Sequence, residues 1–131
     1  MTVPIHQHLL VKAHSTKILK DPEELKIFLE SLVLLVGMKI ATPPQAHYVT
    51  DPGNEGLTGT IGLSTSHASI HCFDNVPDID GVVMFDLYSC ACYDTLDVLN
   101  FFAKGFNINK LVYQVVDRDS LDTYDSRLRL D

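Results

Sequence analysis

From residue 39 to residue 87 the chain is a succession of β-rich runs separated by turn signals. The runs cover residues 39–42, 46–50, 57–63, 68–73 and 82–87, punctuated by Pro43-Pro44, by the turn cluster 51–56 (DPGNEG) and by the loop 74–81 (DNVPDIDG). A parallel strand pair needs a crossover of a dozen residues or more, usually a helix, and these connections have no room for one. Consecutive strands on short links therefore pair antiparallel, and this dictates most of the architecture. Further strands are expected over 5–12 and 109–116.

Two helices complete the set. Asp21 can cap a helix that starts on Pro22, and Glu24 stands three residues after the cap as in a capping box. Leu25, Phe28, Leu29, Leu32 and Leu35 recur at helical spacing with Glu23, Lys26 and Glu30 off their face, and Gly37 ends the run. A second helix is expected over 94–104, carrying Leu96, Leu99 and Phe101 or Phe102 and ending at Gly105. Two helices can cover only one face of one sheet. The expected fold is α+β, a two-layer sandwich of a mainly antiparallel sheet with both helices on one face. A single domain fills 1–116, and the charged, apolar-poor segment 117–131 is expected to be a loosely held tail.

Seventeen acidic residues against ten basic ones give a net charge of −7, which repels nucleic acid and anionic membrane surfaces. The longest apolar stretch, 32–38, is far short of the roughly 20 residues a spanning helix needs. Three cysteines (Cys72, Cys90, Cys92) without a secretory pattern before them suit reduced thiols in a cytoplasm.

Reactive side chains concentrate in 56–93: Ser64, Ser66, His67, Ser69, His71, Cys72, Cys90 and Cys92. The spacing H-x3-H-C followed by C-x-C matches no zinc pattern, and His67 and His71 stand about 13 Å apart along an extended strand. No metal set is assigned. No nucleophile elbow G-x-S-x-G is present either, which counts against a serine hydrolase.

The motifs Gly56-Leu57-Thr58-Gly59, Leu63-Ser64-Thr65-Ser66-His67, Ile70-His71-Cys72-Phe73 and Asp86-Leu87-Tyr88-Ser89-Cys90 resemble, at matching spacing, the core of the short prokaryotic S-adenosylmethionine decarboxylases. These are pyruvoyl enzymes of polyamine (spermidine) synthesis. His8-Leu9-Leu10 is similar to the family's opening, and the final helix and Lys110-Leu111-Val112 to its close. The resemblance implies self-cleavage at Thr65–Ser66. The Ser66 hydroxyl attacks the preceding carbonyl, and β-elimination of the resulting ester leaves a pyruvoyl group. That group forms a Schiff base with the substrate amine and accepts the electrons released with CO2. By the same resemblance, Thr58 and His71 assist the elimination, and Cys90 reprotonates the product carbon. Phe73 and Tyr48 are the expected aromatic partners of S-adenosylmethionine, with Asn75 beside them.

Three departures stand out. Thr65 replaces the family's glutamate, Phe73-Asp74-Asn75 replaces Trp-Pro-Glu with loss of a ribose-holding carboxylate, and Cys90-Ala91 replaces Cys-Gly. Two further readings stay open: a homologue that never matures and acts as a binding or regulatory protein, and a pyruvoyl decarboxylase of ornithine or arginine.

Pairing Phe73 with Val82 or Val83 places Ser66 opposite Ser89 or Cys90, while His71 lies about 16 Å along the strand. A second chain packed on the open sheet face resolves the separation. The expected homodimer is an αββα four-layer arrangement in which Ser66 and Cys90 of one chain meet Thr58 and His71 of the other, as the resemblance also implies.

Overall fold

The computed structural model describes residues 6–129. Its element order is β1 (Gln7–Ser15), α1 (Pro22–Val36), β2 (Ile40–Val49), β3 (Gly56–Leu63), β4 (Ser66–Phe73), β5 (Gly81–Ser89), α2 (Thr95–Gly105), β6 (Ile108–Asp117) and β7 (Thr123–Arg129). Ile5, the expected start of the first strand, and residues 130–131 lie outside the described residues.

The strands form one seven-stranded sheet in the order β2-β3-β4-β5-β1-β6-β7. Every neighbouring pair is antiparallel. The short-link argument holds from β2 to β5, which lie side by side in chain order. Strand β1 does what no local pattern announces: it inserts in the middle, between β5 and β6.

Both helices lie on one sheet face. Helix α1 begins as its cap predicts, with the Asp21 carboxylate accepting from Glu23 N at 2.9 Å, a bond of about 1 kcal/mol. It ends on Gly37 in the left-handed region, whose N–H returns to the Val33 carbonyl. Its buried residues are Leu25, Phe28, Leu29, Leu32 and Val33. Leu35, expected on that face, is 45% exposed, and Val33 takes the place. In α2, capped by Asp94, Val98, Leu99 and Phe102 are buried while Leu96 points outward. These helices close over Leu9, Val11, Leu57, Ile61, Ile70, Val83, Phe85 and Leu87, the alternate residues of the central strands.

Two expectations are corrected. The Pro43-Pro44 pair does not split residues 39–50 into two strands; β2 runs through it with register shifts on either side of Thr42. Strand β2 is the sheet edge, where an N–H missing from the outer side costs no ladder bond and a bulge absorbs the ring. The segment expected to be a loosely held tail forms an edge strand over 123–129, pairing with β6 from Val116↔Thr123 to Lys110↔Arg129. Composition marks it as polar, but an edge strand needs only the ladder that β6 leaves open.

Candidate active site

The turn between β3 and β4 is two residues long, Ser64 and Thr65, closed by the pair Leu63↔Ser66. Thr65 takes φ +65°, the left-handed region that a β-branched residue rarely adopts. A residue held there costs of order 1–3 kcal/mol and persists only when its surroundings enforce it. Here the enforcing contacts are visible. Thr65 Oγ1 lies within hydrogen-bonding reach of both the Ser64 carbonyl and Cys90 Sγ.

Ser66 is 7% exposed. Its Oγ accepts from the Cys90 backbone N–H at 3.1 Å and lies 3.6 Å from Cys90 Sγ. Of the two registers read from the loop, the β4–β5 pair takes Phe73↔Val82 through His67↔Tyr88, and this delivers Cys90 to Ser66. The Thr65 and Ser66 hydroxyls hold the Cys90 thiol below its ordinary pKa, because hydrogen bonds to sulfur favour the thiolate. Cys72, buried on the helix side of β4, is pushed the other way, to about 12, by desolvation.

Thr58 and His71 form a second constellation. They are directly opposed across the β3–β4 ladder, with Thr58 Oγ1 and His71 Nδ1 3.1 Å apart. Strand β4 is unbroken from Ser66 to Phe73, so this pair stays at the far end from Ser66. Strand alternation also gives His71 the open face, while Ser66 shares the helix-side parity of Ala68, Ile70 and Cys72. Within one chain the structure thus joins Ser66 with Cys90, and Thr58 with His71, and keeps the two pairs apart.

The three expected substrate contacts cluster near the Thr58 end. Phe73 is half-buried at the end of β4. Tyr48 donates from its hydroxyl to Asp74 at 2.6 Å, which raises the phenol's pKa. Asn75 Nδ2 donates to Glu55 Oε2 at 2.8 Å, and this bond, with the Gly53 N–H on Oε1, lowers the Glu55 pKa. No sequence pattern singles out Asp74 or Glu55. Glu55 sits in a turn cluster that reads as punctuation, and the Asp74 N–H to Glu55 carbonyl bond joins the Asn75–Glu55 bond in drawing the two loops together.

Gly56 has φ +145°, and a Cβ there would overlap the Cys72 carbonyl oxygen. The first glycine of the G-x-T-G motif therefore serves close packing of β3 on β4, with Thr58 carried two residues on.

His67 shares the open face with His71 without meeting it. Its neighbours are across the sheet, His8 of β1 and Asp86 of β5. Among the described residues, no helix is long and apolar enough to cross a membrane.

Compared with known proteins, residues 7–119 match the family model described as S-adenosylmethionine decarboxylase. The match takes in every residue of both constellations and stops before β7. No individual curated protein matches the chain.

Proposed function

The chain belongs to the S-adenosylmethionine decarboxylase family, and on that premise we propose that it cleaves itself at Thr65–Ser66 and decarboxylates S-adenosylmethionine for polyamine (spermidine) synthesis. The observation that carries the reading is the turn itself: the hydroxyl that must attack is fixed by the Cys90 N–H, next to a peptide whose carbonyl residue is held at φ +65°. A Ser66 hydroxyl so anchored needs little reorganisation to reach the Thr65 carbonyl. Attack moves the acyl group from nitrogen to oxygen. Loss of the Ser66 α-proton then expels the Thr65 carboxylate, and hydrolysis of the dehydroalanine left behind releases ammonia. The resulting pyruvoyl carbonyl supplies the electron sink for decarboxylation.

The fit of that group rests on its neighbours. Cys90, thiol toward Ser66 and Thr65, is suited to deliver a proton at the product carbon. His71, paired with Thr58, is suited to take the α-proton in the elimination, but from a second copy of the chain. We therefore place the reaction in a homodimer in which His71 of one chain serves Ser66 of the other. Three free cysteines suit a cytoplasmic protein.

Asn75 removes the carboxylate expected at its position, which alone would favour a smaller amino acid. Its bond to Glu55 returns a carboxylate to the same place, and this supports a ribose-bearing substrate. Intact-mass analysis during prolonged incubation, with CO2 release measured on S-adenosylmethionine, ornithine and arginine, tests the proposal. The expected result is fragments 1–65 and 66–131, the second beginning with a pyruvoyl group in place of a free amino group, and release of CO2 from S-adenosylmethionine. A persistent full-length mass with S-adenosylmethionine bound and no CO2 identifies a binding protein instead.

A further inference from the structure

The open sheet face carries a side-chain cluster outside both constellations. His8 of β1 and His67 of β4 flank Tyr88, each being its Cα partner in the ladder, and Asp86 lies two residues before Tyr88 on β5. One ligand atom from each of His8, His67 and Asp86 falls within 4.8 Å of the other two. Asp86 Oδ1 is 3.2 Å from His8 Nε2 and 3.9 Å from His67 Nε2. The other carboxylate oxygen accepts from Ser69 Oγ at 2.6 Å.

We propose that His8, His67 and Asp86 form a binding site for one divalent late first-row metal ion, of the iron(II)-to-zinc(II) class. Two donors bonded to one such ion at about 2.0–2.2 Å stand roughly 3.0–3.4 Å apart, so small side-chain rotations bring this set to coordination distance. Two imidazoles and one carboxylate select a transition ion over magnesium or calcium, which take oxygen sets. Ser69 supplies what a ligating carboxylate needs from outside the ion, a hydrogen bond that fixes one oxygen and leaves the other free. In the single chain the side chains of His8 and Asp86 are 20% and 28% exposed, and that of His67 54%, so an ion can reach the set before a second chain covers this face.

The sequence hides this set because its members stand 59 and 19 residues apart; only the placement of β1 beside β5 unites them. An ion there ties β1 and β5 to β4 at the residue after Ser66. The site does not depend on the chain being cut.

The test is titration of the purified full chain with zinc(II) against a chromophoric chelator, repeated with cobalt(II) for its visible spectrum. Expected are one ion per chain, a cobalt spectrum without a thiolate charge-transfer band, and a raised melting temperature with zinc. His8→Ala, His67→Gln and Asp86→Asn should each weaken binding at least tenfold, while His14→Ala and His47→Ala leave it unchanged. Unaltered affinity in all three ligand variants, a thiolate band, or no binding overturns the site. A ligand variant that unfolds is replaced by Ser69→Ala, expected to weaken binding severalfold with the fold intact; unchanged affinity there counts against the site.

Discussion

The Cys90 backbone N–H donates to the Ser66 hydroxyl at 3.1 Å, so the residue after strand β5 anchors the first residue of strand β4. Because the anchor is backbone, it survives substitution of the Cys90 side chain. Anchoring Ser66 and protonating the product can therefore be separated experimentally.

Cys90→Ala should retain self-cleavage within a few-fold of the native rate while decarboxylation falls by at least a hundredfold. Fragment formation by mass spectrometry and CO2 release read the two steps separately. Equal loss of both would assign the thiol to cleavage as well.

The lowered pKa of Cys90 has its own signature. Its largest cause is the Thr65 hydroxyl, followed by that of Ser66. A lowered acid has more thiolate at a given pH, so alkylation of Cys90 should reach half its maximal rate below pH 9.0, the ordinary thiol value. Thr65→Val should move the midpoint upward, toward that value. Cys72, at about 12, should stay unmodified throughout. Peptide mapping after iodoacetamide treatment across pH gives the answer. A Cys90 midpoint unmoved by Thr65→Val would disconnect the two residues.

Much of this local chemistry is legible in the sequence. The hairpin register follows to within one residue from the loop 74–81, and the start of α1 follows from Asp21, because caps and turns are short-range physics. What escapes is long-range. Strand β1 finds its place through contacts with β5 and β6 that lie about a hundred residues away at their farthest, and no periodicity encodes that choice. Pro43-Pro44 misleads because a residue that breaks a central strand is harmless at an edge, and only topology says which strand is the edge. The Glu55–Asn75 bond is equally invisible, since it joins two loops, each of which is irregular in sequence.

Thr65 stores strain that glycine would release. Thr65→Gly, made in a Ser66→Ala background to keep the chain whole, should stabilise the fold by about 1 kcal/mol, or some 3–5 °C in melting temperature. In the native background the same change should slow cleavage, since it removes the residue that holds the peptide in place. A faster-cutting glycine variant would show that the left-handed threonine hinders the reaction.

At the substrate end, Glu55→Gln should raise KM for S-adenosylmethionine about tenfold, the typical worth of a hydrogen bond to a charged group, and leave self-cleavage unchanged. Phe73→Ala should have a similar effect through lost stacking. Steady-state kinetics on fully cleaved protein checks both. If either variant loses cleavage in parallel with substrate binding, that residue serves the fold.

The separation of the two constellations is tested by complementation. Thr58 of β3 and His71 of β4 lie at the end of the β3–β4 hairpin opposite Ser66 and on the other face, so neither can serve the Ser66 of its own chain while the hairpin stays extended. In the proposed homodimer the His71 of one chain has to serve the Ser66 of the other. His71→Ala chains alone should remain uncut, and Ser66→Ala chains can never be cut. Co-expressed with different tags and purified through both, they should yield heterodimers in which the His71→Ala chain is cleaved, served by the intact His71 of its partner. The reverse assignment, a site complete within one chain, predicts no cleavage in the same heterodimers. A protein that sediments as a monomer while cleaving itself at the native rate would remove the need for a second copy altogether.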